Sequence, residues 1–195
     1  MPHVPAIFQF PLAIPFWIVF FLAFVRESKI VRPALGDKGS AQDGGTFRAL
    51  LIGSPLALLA AAAAAYSPWL VIPFPIGAMA LGTVLIAGGA VLRRYCFNAL
   101  GASFTGKVIV EKGQQVIQSG VYRFVRHPSY TAAFLMYCGT GVALGSWLSV
   151  AILFLVHCYL YGRRVAVEEA ALVETLGEPY VEYMARTKRF IPFLI

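Results

Sequence analysis

Long, nearly uncharged stretches of apolar residues constrain this chain more than any other feature. Five such runs are separated by polar or charged connections, and they cover Val4–Val25, Phe47–Tyr66, Trp69–Leu92, Tyr130–Gly145 and Trp147–Gly162. A helix needs roughly 20 apolar residues to cross a bilayer, where every backbone polar group must be satisfied within the protein. With 59% hydrophobic and 13% charged residues, the sequence predicts an all-α, polytopic membrane protein with about five transmembrane helices.

Two of the connections between the runs are very short. Gly145-Ser146 joins the last two runs, and Ser67-Pro68 joins the second and third, so both pairs are predicted to form tight antiparallel hairpins. The third and fourth runs are rich in glycine, which lets membrane helices approach closely. Three prolines in the first run, Pro5, Pro11 and Pro15, predict that its outer half is kinked or irregular.

The positive charges predict the orientation of the chain in the membrane. All 16 Lys and Arg lie in Arg26–Arg48, Arg93–Arg126 and Arg163–Arg189, and the two short turns contain none. The positive-inside rule then places the N-terminus outside and the C-terminus in the cytoplasm, in agreement with five spans. The net charge of +7 therefore indicates membrane anchoring and not nucleic-acid binding. Because the N-terminus has no basic stretch and no small-residue cleavage site, the first run is interpreted as a retained span.

Other patterns argue against several classes of site. Gly101–Val108 resembles a phosphate-binding loop but ends in Val108, where a hydroxyl is required, and no dinucleotide-binding glycine pattern is present. Cys96, Cys138 and Cys158 lack metal-binding spacing, so we expect free thiols and no metal. The loop RPALGDKGSAQDGGT is predicted to be a mobile connection without chemistry. We expect one domain over 1–195, with N-terminal spans in 1–97 and a second half over 98–195 that carries the polar motifs described next.

The stretch GVYRFVRHPSY, Gly120 to Tyr130, carries the first chemistry-bearing cluster. Proline suits the first position of a helix, so His127 is predicted to cap a helix that begins at Pro128. A helix N-terminus offers free N–H groups and a partial positive charge, which favour a carboxylate or phosphate. Arg126 adds a full positive charge with a planar donor fork.

A second cluster follows the fifth apolar run. Gly162–Gly177 is predicted to form a helix that leaves the membrane and ends at Gly177, and a short helix over Glu178–Tyr183 completes a cytoplasmic helical cap. Arg164 and Glu168 are four residues apart and share a helical face. Because the last two runs form a hairpin, this face and the RHPSY segment are predicted to be neighbours at the membrane surface.

Simpler interpretations apply to each residue taken alone. The arginines of the C-terminal segment would serve as membrane anchors, the tyrosines as interfacial aromatics, and His127 as a helix cap. His157 lies within an apolar run and is predicted to make a structural hydrogen bond to a neighbouring helix. Taken together, the residues indicate a site for an anionic ligand at the membrane face.

The order of these motifs resembles the isoprenylcysteine carboxyl methyltransferase family of integral membrane enzymes. The family pattern RHPxYxG is met at Arg126, His127, Pro128 and Tyr130, with Ala132 in place of its last glycine. An acidic pair follows at Glu168 and Glu169, and then LGEPYVEYMARTKRFIP. The resemblance covers about half of the chain, from Asn98 to Pro192.

The resemblance implies that S-adenosylmethionine binds between the RHPSY helix start and the acidic pair. The cofactor-binding residues would be Tyr122, Arg126, His127, Pro128, Tyr130, Glu168 and Glu169. The expected reaction is carboxyl O-methylation of an isoprenylcysteine-like, lipophilic or lipidated acceptor that enters from the bilayer, with Arg164, Glu168 and Arg126 as catalytic residues. Either arginine would hold a carboxylate acceptor, whereas an amine or thiol acceptor would need Glu168 or His127 as a base.

Three alternatives stay open at the level of the sequence. In the first alternative, the protein is a methyltransferase of the same architecture whose acceptor is a phospholipid amine or a thiol. A sterol-type reductase would use a nicotinamide cofactor, and it would be expected to have more spans and a longer N-terminal half. A non-enzymatic membrane protein would not need a mixed cluster of charges at the interface.

Overall fold

The protein is an antiparallel bundle of helices. The computed structural model describes the backbone of residues 4–36, 43–101 and 115–192, and the side chains of residues 4–25, 43–101 and 115–192. Within these ranges there is no β-strand, and backbone pairing outside helices is confined to isolated bridges. The prediction of an all-α fold is confirmed for them. The α-helices are α1 (Ile14–Gly36), α2 (Thr46–Ala64), α3 (Pro75–Leu100), α4 (Pro128–Ala143), α5 (Trp147–Leu176) and α6 (Glu178–Arg186).

Three of these helices, α2, α3 and α5, are long and apolar enough to cross a membrane, and α1 has a shorter apolar stretch over Ile14–Val25. That the chain crosses the membrane five times stays a prediction. In α5 the apolar part is Trp147–Gly162, and the charged remainder continues as the same helix of 30 residues. Gly177 ends α5 with a φ of 63°, which confirms the predicted helix end, because glycine adopts this left-handed region without steric cost.

The helices alternate in direction, so the bundle has two distinct ends. At one end, Arg93 near the end of α3 donates from Nη1 to the Ser129 carbonyl in α4 at 2.8 Å. At the other end, the amide of Ile72 donates to the Gly145 carbonyl at 2.8 Å. We call the first end, where α2 and α4 begin and α3 and α5 finish, the charged end. The predicted α4–α5 hairpin is confirmed by the turn at Gly145, which has a φ of 71°.

The core lies between the helices and depends on small residues where α3 meets α4. Phe16, Ile86, Met136 and Leu153, from α1, α3, α4 and α5, are fully buried. At the α3–α4 seam, a Cβ added to Gly89 would lie 2.6 Å from the Ala132 carbonyl oxygen. The glycine-rich runs therefore pack closely, as predicted, and this contact sets the position of the start of α4.

The boundaries of two predicted spans differ from the helices observed. The third span begins at Pro75 and not at Trp69, because Pro73 and Pro75 disfavour helix in the residues before them. Phe74 has a φ of 61°, and α3 continues beyond the expected end to Leu100. In the first run, α1 begins only at Ile14 after a 3₁₀ turn, so the predicted irregular outer half is confirmed.

The buried histidine and the cysteines match their sequence-based predictions. His157 in α5 is fully buried, and its Nε2 lies 3.3 Å from the Ser54 hydroxyl of α2. The predicted interhelical hydrogen bond is therefore confirmed. Cys96, Cys138 and Cys158 are free thiols. The sequence resembling a phosphate loop lies outside the described residues from position 102 onward, as do residues 37–42 of the first polar loop.

Candidate active site

The start of α4 is held in place by the C-terminal segment. His127 caps the helix and Pro128 is its first residue, as predicted. The amide of Arg126 donates to the Lys188 carbonyl at 2.7 Å, and the amide of His127 donates to the Arg189 carbonyl at 2.9 Å. The sequence did not predict this strand-like pairing, which places the segment after α6 directly against the RHPSY turn.

The buried carboxylate of Glu169 binds the side chains of Arg126, His127 and the half-exposed Arg189, and we call these four residues the Glu169 cluster. Its Oε1 accepts from Arg126 Nε at 2.9 Å and lies 3.1 Å from His127 Nε2. Its Oε2 accepts from Arg189 Nε at 3.0 Å and Nη2 at 2.8 Å. Burial would by itself raise the pKa of Glu169, but the hydrogen bonds from His127, Arg189 and Arg126 outweigh it and lower that pKa to about 2.

Arg126 is bound to the protein on several sides. Besides Glu169, its Nη1 donates to the backbone carbonyls of Met184, at 3.2 Å, and Thr187. Its side chain is only 8% exposed. Arg126 therefore ties α5 and the end of α6 to the RHPSY turn, a contact set that the sequence did not anticipate for this residue.

Glu168, the neighbour of Glu169, belongs to a different group, the Tyr130 cluster of Arg164, Tyr130 and Glu168. The Tyr130 hydroxyl donates to Glu168 Oε2 at 2.7 Å and accepts from Arg164 Nε at 3.2 Å. Arg164 is buried, whereas Glu168 is half-buried. The sequence placed Arg164 and Glu168 on one face, and the structure brings both to the same tyrosine hydroxyl.

Tyr122 presents an unsatisfied polar atom next to these clusters. Its hydroxyl is buried near the side chains of Ser129 and Cys96 but makes no hydrogen bond of ordinary geometry to any described residue, while its backbone carbonyl accepts from the Tyr183 hydroxyl at 2.6 Å. Burial, followed by the nearby Cys96 and Glu168, raises the pKa of Tyr122, so its hydroxyl keeps its proton as a donor. A buried hydroxyl without a partner is costly, and one that faces a binding site is satisfied by the ligand.

The beginning of α2 also reaches the Tyr130 cluster. Arg164 Nη1 donates to the Thr46 hydroxyl at 3.0 Å and lies 3.8 Å from Asp43 Oδ2. The sequence predicted that the loop before α2 is a connection without chemistry, and the structure adds that its last residues, Asp43 and Thr46, contact Arg164. No local sequence signal indicates this contact, because its partners lie 118 residues apart.

The described residues contain no group of three or more His, Cys, Asp and Glu side chains arranged to hold a metal ion. The candidate site consists of the two clusters and the Tyr122 hydroxyl. Its donors and acceptors, a tyrosine hydroxyl, a half-buried carboxylate and a buried guanidinium, suit an organic ligand that carries both charges.

The lowered pKa of Glu169 predicts a loss of stability in acid. Its ordinary value is 4.5 and its folded value is about 2, so its contribution is fully present above pH 4.5 and is lost as the pH falls towards 2. That contribution is on the order of 3 kcal/mol. Thermal unfolding of the detergent-solubilised protein should show a falling midpoint over this window, with the same fall in the exposed Glu174→Gln control. A midpoint that does not change below pH 4.5 would contradict the assignment.

Part of the chain is similar to proteins of a known family. Residues 80–174 match the model of the isoprenylcysteine carboxyl methyltransferase family. Protein-S-isoprenylcysteine O-methyltransferase B of Arabidopsis thaliana is 32% identical over 115 residues, which are 58% of this chain and 58% of the relative. The protein-S-isoprenylcysteine O-methyltransferase of Saccharomyces cerevisiae is 33% identical over 116 residues, 58% of this chain and 48% of the relative. The chain spans about half the length of the curated relatives it matches.

The fold has a counterpart among solved structures. The structure of the eukaryotic intramembrane Ras methyltransferase, an isoprenylcysteine carboxyl methyltransferase, superposes with a TM-score of 0.63 and 21% identity. The match covers 96% of this chain and 70% of that one. This shared fold and the apolar helices identify an integral membrane protein. Residues 80–174, which include the start of α4 and the acidic pair of α5, are similar to the isoprenylcysteine carboxyl methyltransferase family.

Proposed function

We propose that this protein transfers a methyl group from S-adenosylmethionine to the carboxylate of an isoprenylcysteine-like, lipophilic acceptor. The observation that carries the proposal is the buried Tyr122 hydroxyl, which makes no hydrogen bond of ordinary geometry to a described residue, together with the nearby half-buried carboxylate of Glu168. Both residues lie in the family-matched part of the chain. A ligand with an amine, a carboxylate and hydroxyl groups would satisfy such a donor and such an acceptor.

The donor would be held at the start of α4. When bound, S-adenosylmethionine supplies an electrophilic methyl group on a sulfonium. Tyr122, Pro128, Tyr130 and Glu168 would line its site, with Glu168 accepting hydrogen bonds from amine or hydroxyl groups. Glu169, Arg126 and His127 would support the site from behind, because they are bound to one another. The positive end of α4 favours the carboxylate of the ligand.

Arg164 is the residue that we assign to the acceptor. A carboxylate needs no general base to become nucleophilic, but it needs a cation that holds it in line with the methyl group, since alignment supplies much of the rate in such a displacement. Arg164 is a buried cation whose guanidinium is oriented by Tyr130 and Thr46. Such a fixed charge stabilises the reacting carboxylate without reorganisation. Arg126 is engaged by Glu169 and two backbone carbonyls, which makes it the poorer candidate.

We place the charged end of the bundle in the cytoplasm and the N-terminus outside. The distribution of the 16 Lys and Arg supports this orientation, and so does the alternation of the helices. The site would then face the cytoplasmic leaflet, where a lipidated acceptor enters from the bilayer. One domain over 1–195 is supported by the bond from Arg164 to Thr46, which joins the C-terminal half to the N-terminal spans.

Binding of the donor tests the first part of the proposal. Calorimetry on protein in lipid nanodiscs should detect S-adenosylmethionine and S-adenosylhomocysteine, and Glu168→Gln should weaken both by about 10- to 100-fold, since a hydrogen bond to a charged group is worth roughly 1.5–3 kcal/mol. Glu174→Gln is the matched control, because Glu174 is an exposed acid on the same helix. Absence of binding to folded wild-type protein would refute the donor assignment.

The acceptor is tested with labelled S-adenosylmethionine in the same nanodiscs. A farnesylated cysteine with a free carboxylate should give a base-labile methyl ester. Phosphatidylethanolamine and an alkyl thiol are the competing acceptors. Base does not release the labelled methyl group from the nitrogen or the sulfur of their products. Methylation of only the amine or the thiol would replace the carboxylate assignment and make Glu168 the candidate base.

A further inference from the structure

We propose that Thr46, supported by Asp43, is a positioning residue that orients the Arg164 guanidinium for methyl transfer. The inference rests on the proposed function. Thr46 lies at the start of α2, outside the segment 80–174 that matches the family. A residue of the N-terminal half would thereby set the geometry of the reaction carried by the C-terminal half.

The turn before α2 presents the Thr46 hydroxyl in one orientation. Asp43 Oδ1 accepts from the Gly45 amide at 2.9 Å, and the Asp43 carbonyl accepts from the Thr46 amide at 2.9 Å. The Thr46 hydroxyl donates its proton to the same carbonyl at 2.7 Å. Since a hydroxyl has one proton and two lone pairs, the oxygen is left as an acceptor, and Arg164 Nη1 donates to it at 3.0 Å.

This contact fixes the plane of the guanidinium. Arg164 is 2% exposed, so its charge depends on protein partners and not on water. Its Nε donates to Tyr130 and its Nη1 donates to Thr46. Two separated contacts on a rigid, planar group define its orientation, and Asp43, at 3.8 Å, places a negative charge beside the cation. Thr46 therefore acts on the reaction through Arg164 and does not itself touch the acceptor.

The packing of α2 on α5 does not depend on Thr46 alone. The Ser54 hydroxyl contacts His157 Nε2 at 3.3 Å. A Cβ on Gly53 would lie 3.2 Å from Leu160, so the two helices are also in close contact deeper in the bundle. Loss of the Thr46 hydroxyl should therefore leave the helices together and release only the guanidinium, which separates a positioning role from a structural one.

Thr46→Val removes the hydroxyl and keeps the shape of the side chain. We expect kcat/KM for a farnesylated cysteine to fall about tenfold, because small misplacements of a positioning group are costly. The Kd for S-adenosylmethionine should stay within about twofold of wild type, and Thr46→Ser should restore kcat/KM. Thr140→Val is the matched control, since Thr140 is equally buried and its hydroxyl bonds to the Met136 carbonyl of its own helix.

A spectroscopic measurement tests the same contact independently of activity. In protein labelled with ¹⁵N at the arginine side chains, the Nε–H signal of Arg164, identified by its loss in Arg164→Lys, should shift and exchange faster in Thr46→Val and not in Thr140→Val. An unchanged signal with unchanged kcat/KM would overturn the proposal, and so would equal losses of donor binding and acceptor turnover. If wild-type protein neither binds nor uses S-adenosylmethionine, the proposed function fails, and a shifted Arg164 signal would still support orientation of the guanidinium by Thr46.

Discussion

Glu169→Ala is expected to lower the stability of the fold by about 3–5 kcal/mol, because it leaves the buried Arg126 without its counter-charge. The carboxylate is 5% exposed and accepts hydrogen bonds from two arginines. Its loss would also remove the ion pair with Arg189, one of the contacts that hold the C-terminal segment against the RHPSY turn. We expect a lowered melting temperature in detergent and a smaller monodisperse peak in size-exclusion chromatography.

Two other acids on α5, Glu168 and Glu174, provide the comparison variants for this test. Glu168→Ala removes a half-buried carboxylate whose described hydrogen bond comes from Tyr130, so it should reduce donor binding with a much smaller loss of stability. Glu174→Ala, at an exposed position of α5, should change neither. Equal melting temperatures for Glu169→Ala and Glu174→Ala would show that the Glu169 cluster does not stabilise the fold.

Gly89→Ala is expected to be destabilising, whereas Gly88→Ala, one residue earlier in α3, is not. The added Cβ at Gly89 would lie 2.6 Å from the Ala132 carbonyl oxygen and 2.7 Å from Met136, and a Cβ at Gly88 meets nothing within 4 Å. Overpacking of this kind costs roughly 1–3 kcal/mol, while replacing glycine by alanine in an open helix position gains up to about 1 kcal/mol. Gly89→Ala should therefore have a lower melting temperature than wild type, and Gly88→Ala a melting temperature equal to or above it.

The Gly89 substitution also has a functional consequence. Ala132 occupies the place of the last glycine in the RHPxYxG pattern, and Gly89 provides the space next to it. Forcing α3 and α4 apart would move Pro128 and Tyr130 at the start of α4, so donor binding should weaken in Gly89→Ala and persist in Gly88→Ala. Equal stability and equal binding in the two variants would contradict the close approach of α3 and α4 at this point.

Much of the helical framework follows from local sequence signals. Apolar runs, the cap formed by His127 and Pro128, and the stop at Gly177 each depend on a few consecutive residues. Such signals act within one helical turn, and they predicted the α4–α5 hairpin and the proximity of the RHPSY segment to α5. The resemblance in the same segments agrees with the family model that matches residues 80–174. The start of the third span was wrong because Pro73 and Pro75 outweighed the apolar character of residues 69–74.

The different contacts of Glu168 and Glu169 in the candidate site depend on the tertiary structure. The two residues are of the same type and adjacent in the sequence, but successive residues of a helix point about 100° apart. One acid therefore contacts Tyr130, and the other joins Arg126, His127 and Arg189. By itself the sequence determined which helices form, and it predicted that the RHPSY segment lies near the charged part of α5. Packing alone decided the long-range partners, Thr46 for Arg164 and the C-terminal segment for the RHPSY turn, because contacts between distant residues depend on how the helices are arranged and leave no local pattern.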